Sequence, residues 1–190
     1  VAQDVDPCKT DMGHPGNGTA VNYNQTGSIS GTPWGYEIWF DGGNNSMTYY
    51  SNGTFKASWS GSNDFLARVG YRYGDNGPGI DHNDYQFTVD YSYKKQSQSA
   101  GYGYIGVYGW TVNPQVEYYI VDDWYSQPNE QYIGEKFGEI TVDGAKYTIH
   151  AFLRQEEPSK TGTSTFMQIF SVRQTPRKCG HIDISKNNKK

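Results

Sequence analysis

Apolar and polar residues alternate over short stretches of this chain, and no window repeats apolar residues at helical spacing. The runs are rich in Val, Ile, Tyr, Phe and Trp and are bounded by Gly, Asn, Asp and Ser, the pattern of strands joined by turns. Strands are predicted over 35–40, 46–50, 54–59, 65–73, 85–93, 101–110, 116–122, 138–142, 146–153 and 163–173, with a first strand somewhere in 19–30. Ser51-Asn52-Gly53 predicts a hairpin, and Asp143-Gly144 the turn of a meander. Residues 74–83 contain Asp75-Asn76-Gly77-Pro78-Gly79, a connection no sheet interior could hold. A polar loop runs from Trp124 to Gln131, and 157–162 reads as a turn-rich excursion. A helix is expected only within 182–190, with Asp183 or Ser185 as its cap. Strands at this spacing with no helix between them make an all-β sandwich or jelly roll.

Composition narrows the picture. A chain of 190 residues suits one domain with a substantial core, and no linker or repeat divides it. No apolar run is long enough to span a membrane. The net charge of −4 argues against a nucleic-acid partner, and the basic cluster of Arg177, Lys178, Lys186, Lys189 and Lys190 reads as a solvated tail. His14, His82, His150 and His181 lie in unrelated segments, so no metal site is expected. No phosphate loop or dinucleotide fingerprint calls for a cofactor. In an extracellular protein Cys8 and Cys179 would form one disulfide closing a very long loop. In a cytosolic one they would be two buried thiols. Sequons stand at Asn17, Asn24, Asn44 and Asn52.

The chemistry concentrates in 108–122, Tyr-Gly-Trp-Thr-Val-Asn-Pro-Gln-Val-Glu-Tyr-Tyr-Ile-Val-Asp. The period of two puts Glu117, Tyr119 and Val121 on one face of a strand and Val116, Tyr118 and Ile120 on the other. An acid on an aromatic face is either a reactive carboxylate or an edge-strand charge that discourages aggregation. Aromatic rings stack on sugars while carboxylates and amides bond hydroxyls, which suggests a glycan cleft. Tyr and Trp acting only as strand formers is the other reading.

This stretch resembles the nucleophile strand of glycoside hydrolase family 11, the endo-1,4-β-xylanases. Pro158-Ser-Lys-Thr-Gly-Thr-Ser-Thr-Phe166 is similar to that family's thumb loop, Gln168-Ile-Phe-Ser-Val-Arg173 to the strand after it, and 35–42 to an early cleft strand. The likeness runs over roughly 27–185 in the family's order, and Arg177-Lys-Cys-Gly-His-Ile-Asp-Ile-Ser185 resembles its rumen-microbe branch. The resemblance implies one jelly-roll domain of two strongly twisted antiparallel sheets shaped as a partly closed hand, with at most one short helix.

It further implies Glu117 as nucleophile, with Tyr108 and Tyr119 holding sugar and carboxylate. Trp39 would stack on the xylose at the bond to be cut, and Arg154, Pro158 and Gln168 would contact substrate. Asp64 would sit beside the general acid and tune its pH range. A secreted, monomeric, cofactor-free enzyme acting on xylan is expected, with Cys8 and Cys179 bonded. The family's acid/base glutamate lies on a late strand whose motif is not found in 1–190, so only half of the catalytic pair is identifiable. The alternatives are a xylanase-like glycan binder without turnover and a carbohydrate-binding module.

Overall fold

The computed structural model describes residues 6–73, 84–96 and 101–188, so the predicted connection over 74–83 lies outside the described residues. The chain divides into two compact units, Asp11–Ile80 and Val1–Thr10 with Asp81–Lys190.

The first unit holds β1 (Thr19–Val21), β2 (Gln25–Ser28), β3 (Trp34–Phe40), β4 (Ser46–Tyr49), β5 (Phe55–Ser58) and β6 (Phe65–Tyr71). The single strand expected in 19–30 is thus two. They serve different sheets, in the orders β1-β4-β5 and β2-β3-β6. The hairpin at 51–53 forms as predicted: Tyr50 N donates to Thr54 O and Gly53 N to Tyr50 O, both at 3.0 Å. Gly53 adopts φ 81°, the left-handed region that Gly enters without strain. Alternation along β3 sends Tyr36 and Ile38 into a core with Val21, Ile29 and Met47. Glu37 and Trp39 take the other face.

The second unit holds β7 (Thr88–Ser92), β8 (Tyr104–Val112), β9 (Gln115–Trp124), α1 (Glu130–Ile133), β10 (Glu135–Val142), β11 (Ala145–Ser159), β12 (Gly162–Arg173), β13 (Cys179–Asp183) and α2 (Ile184–Asn188). Its main sheet runs β10-β11-β12-β9-β8, and β13 pairs with β7. One face of the main sheet, through Ile120, Tyr147 and Val142, packs with Ile182, Val89 and Tyr91. The other face carries Val121, Phe170 and Val172, closed over by Ile133. Within the sheet, β8 and β9 approach so closely that a Cβ on Gly106 would lie 1.9 Å from Ile120 O. Gly is the residue that fits there.

Several expectations are corrected. Among the described residues two short helices form, not one. The loop through Gln131 contains α1 because Asn129 caps it, accepting from Gln131 N at 2.9 Å, while Ile133 anchors it at 1% exposure. The carboxy-terminal helix begins at Ile184, because 179–183 is spent on a strand ladder with β7. Asp183 caps it, accepting from Lys186 N at 2.9 Å. The sheets are antiparallel except where β12 runs parallel to β9, a pairing of strands distant in sequence that no tight turn constrains. Residues 157–162 are no separate excursion: Glu157↔Ser164, Pro158↔Thr163 and Ser159↔Gly162 continue the β11–β12 ladder past a register shift.

The cysteines are bonded, Cys8 to Cys179, which removes the reading of two buried thiols. Arg177 is no solvated tail residue. Its Nε donates at 2.7 Å to Asp122, which is fully buried and also accepts the Tyr91 and Tyr147 hydroxyls at 2.7 and 3.0 Å. Both phenols are pushed up, first by burial and then by the charge of Asp122.

Candidate active site

Glu117 stands on β9, the strand flanked by β8 and β12, and is 8% exposed. An interior position removes the edge-charge explanation, since an edge charge guards an unpaired ladder. A carboxylate this buried needs partners, and Glu117 has three. Tyr108 donates to its Oε1 at 2.9 Å, Tyr119 to the same oxygen at 3.0 Å, and Gln168 Nε2 to Oε2 at 2.6 Å. All three are donors, so both carboxylate oxygens act as acceptors.

Register delivers these groups. Tyr108 lies opposite Tyr119 across the β8–β9 ladder, and Gln168 lies beside Glu117 in the parallel β9–β12 pairing. Directly opposed residues share a face, so three strands converge on one carboxylate. The rings brace one another: Tyr108 meets Tyr119 edge-on at 4.9 Å, and Tyr119 stacks on Phe170 at 4.3 Å.

Trp110 belongs to this group and was not singled out from the sequence. Its Nε1 donates to Tyr108 Oη at 2.5 Å and its ring packs on Phe166 at 4.8 Å. Its spacing of two from Tyr108 was the signal that could have found it. Gln115, two residues before Glu117 on the same face, was likewise passed over. It bonds Thr161 and Ser164 at the tip of the β11–β12 hairpin.

Arg154 sits opposite Phe166 on β11, its guanidinium 5.9 Å from the centre of the Phe152 ring. It pairs with Glu157 at 3.4 Å, and both side chains are more than a third exposed. Such a pair contributes little stability, which leaves the cation free for another partner. Pro158 lies four residues on, in the hairpin opposite Thr163.

Trp39 and Asp64 belong to the other unit and are described within it. Trp39 is 41% exposed on the non-core face of β3, with Glu37 and Arg68 paired at 2.6 Å on that same face. Asp64 is exposed, and its backbone rather than its carboxyl is engaged. Asp41 Oδ1 accepts from Asn63 N at 3.0 Å and Asp64 N at 2.9 Å. The Asp64 N–H holds the Asp41 carboxyl below the usual carboxylate range.

The family model for glycosyl hydrolases family 11 matches residues 32–190. The chain belongs to that family. Among curated family relatives, endo-1,4-β-xylanase C of Fibrobacter succinogenes is 50% identical over 200 residues, covering 100% of this chain and 32% of the relative. Endo-1,4-β-xylanase S20 of Neocallimastix patriciarum is 44% identical over 185 residues, covering 95% of this chain and 54% of that protein. The chain therefore spans about a third to a half of these relatives. The crystal structure of wild-type ENZbleach xylanase is similar at 34% identity and TM-score 0.85, covering 100% of this chain and 79% of that one. The family 11 likeness carries the jelly-roll class that the strand pattern predicted.

Proposed function

We propose that the chain performs endo-1,4-β-xylan hydrolysis with retention, Glu117 being the nucleophile. The observation that carries this reading is the set of three donors on Glu117, two tyrosines and one glutamine converging from β8, β9 and β12. They orient a carboxylate on an aromatic face, as attack on an anomeric carbon requires. The names of the family 11 relatives support xylan as substrate.

In the proposed reaction Glu117 displaces the leaving sugar from the anomeric carbon while a second carboxyl group, about 5–5.5 Å away, protonates the departing oxygen. Water then resolves the glycosyl-enzyme with that second group acting as base. The groups bonded to Glu117 are phenols and an amide, so the general acid is a carboxyl group that stands apart from the nucleophile. Tyr108 and Tyr119 hold the nucleophile, and Gln168 fixes its second oxygen. Arg154 and Pro158 contact the glycan, Trp39 stacks on xylose, and Asp64 tunes the acid. The Cys8–Cys179 bond supports export to an oxidising compartment. No cofactor takes part in this scheme.

The test is release of reducing sugar from xylan by the wild-type chain and by Glu117→Gln. The proposal expects release that the substitution abolishes; release unaffected by it removes Glu117 from the mechanism. Xylan binding without any release returns the chain to the class of glycan binders.

A further inference from the structure

The β11–β12 hairpin outruns its sheet. β10 pairs with β11 no further than Ala151, and β9 pairs with β12 only from Met167 onward. In the described ladders, the pairs Glu157↔Ser164, Pro158↔Thr163 and Ser159↔Gly162 have only each other. A two-stranded ribbon is marginally stable in water. This one is also interrupted by the register shift after Arg154, where Glu156 sits at φ 51°.

Its tip is nevertheless tied down by one side chain of the main sheet. Gln115 Oε1 accepts from Thr161 Oγ1 at 2.8 Å, and Gln115 Nε2 donates to Ser164 Oγ at 2.7 Å. Ser164 Oγ donates to Ser159 Oγ at 2.9 Å. Ser159 Oγ in turn donates to Gly162 O at 2.5 Å and accepts Thr161 N at 3.2 Å. A single carboxamide thus holds the turn at Thr161 and β12 at Ser164, and reaches β11 through the Ser164–Ser159 bond. It stands on the first residue of β9, next to a turn closed by the Thr111 hydroxyl on Pro114 O. It shares the strand face of Glu117, two residues on.

We infer that Gln115 is a positioning residue that holds the hairpin tip, and Pro158 with it, at a fixed distance from Glu117. It thereby governs how the glycan is gripped rather than how the bond is cut. This rests on the reading of Glu117 and Pro158 given above. The amide suits both ends of the task, since one oxygen and one nitrogen meet one donor and one acceptor. An apolar side chain of the same length would leave Thr161 and Ser164 bonded only within the ribbon.

The test compares the wild-type polypeptide with Gln115→Met in two measurements. Amide hydrogen exchange over 159–165 is expected to quicken by up to roughly 30-fold, since two hydrogen bonds are lost and each is worth about 1 kcal/mol net. With an activated aryl xylobioside, whose leaving group needs no protonation, KM should rise several-fold and by more than kcat falls. Thr161→Val with Ser164→Ala deletes those two bonds from the tip, together with the Ser164–Ser159 bond inside the ribbon. It should reproduce both shifts, and Gln115→Met added to it should change little more. Unchanged exchange in Gln115→Met overturns the latch. Quickened exchange with an unmoved KM overturns its role in gripping substrate. If the wild type releases not even one equivalent of aryl group from the xylobioside, the catalytic reading of Glu117 fails, while exchange alone still decides whether Gln115 holds the tip.

Discussion

Trp110 stands directly opposite Glu117 across the β8–β9 ladder, yet its indole N–H bonds the Tyr108 hydroxyl and not the carboxylate. Tyr108 then donates its own proton to Glu117 Oε1. The relay fixes the Tyr108 hydroxyl with its proton aimed at the carboxylate.

Two substitutions separate the steps of that relay. Tyr108→Phe removes a donor to a charged group, worth about 1.5–3 kcal/mol, so kcat/KM should fall roughly 10- to 100-fold. Trp110→Phe removes a bond between neutral groups, worth about 1 kcal/mol, and should cost roughly fivefold. Steady-state kinetics on both variants checks the order. A larger loss in Trp110→Phe would show that the indole acts on the site directly.

The Cys8–Cys179 bond closes a loop with a sequence separation of 171. In the chain-entropy account such a loop is worth up to roughly 4–5 kcal/mol. Urea unfolding of Cys8→Ser beside the oxidised protein should show a lower midpoint and a steeper slope, because the unlinked denatured chain exposes more surface. Equal midpoints would mean that the cross-link constrains nothing the folded chain does not already hold.

Acid should weaken the contribution of Asp123. Burial acts to raise this carboxyl, but Lys95 at 2.9 Å, the Tyr93 hydroxyl and Trp124 N outweigh it, so it sits below the usual range. A depressed carboxyl stabilises the fold above its unfolded pKa, about 3.9 for Asp, and that contribution fades as pH falls through the folded value. At neutral pH, Asp123→Asn should cost about 1.5–3 kcal/mol, the range for hydrogen bonds to a charged group. The gap between wild type and variant should narrow once the pH drops below about 3.9 and close only below the lowered folded value, where both side chains are neutral. Unfolding curves at the two pH values measure it; a gap that stays constant would assign the effect to shape and not charge.

The strand pattern made most of this fold legible because the side-chain period of two is a local property. Glu117, Tyr119 and Val121 shared a face in the sequence and share it in the structure. The relations that complete the site are not local. The Gln168–Glu117 bond depends on β12 lying parallel to β9, strands separated in sequence by α1, β10 and β11. Resemblance to the family supplied Gln168; the pattern of residues could not. Gln115 and Trp110 had the right spacing but plain explanations, a turn amide and a strand aromatic, so only their partners reveal what they hold. Helix α1 depended on one cap, Asn129, and one apolar anchor, Ile133, too little signal to outweigh the surrounding polar loop.

The central claim is that Glu117 forms a bond to the sugar. An aryl xylobioside with a reactive leaving group and a fluorinated sugar ring forms the glycosyl-enzyme without needing the general acid and slows its hydrolysis. Intact mass followed by peptide mapping should find the wild-type chain heavier by one fluorinated xylobiosyl group. The group should be attached at Glu117, and Glu117→Gln should stay unlabelled. Labelling at another carboxylate, or turnover with no covalent species on the wild type, would contradict the assignment.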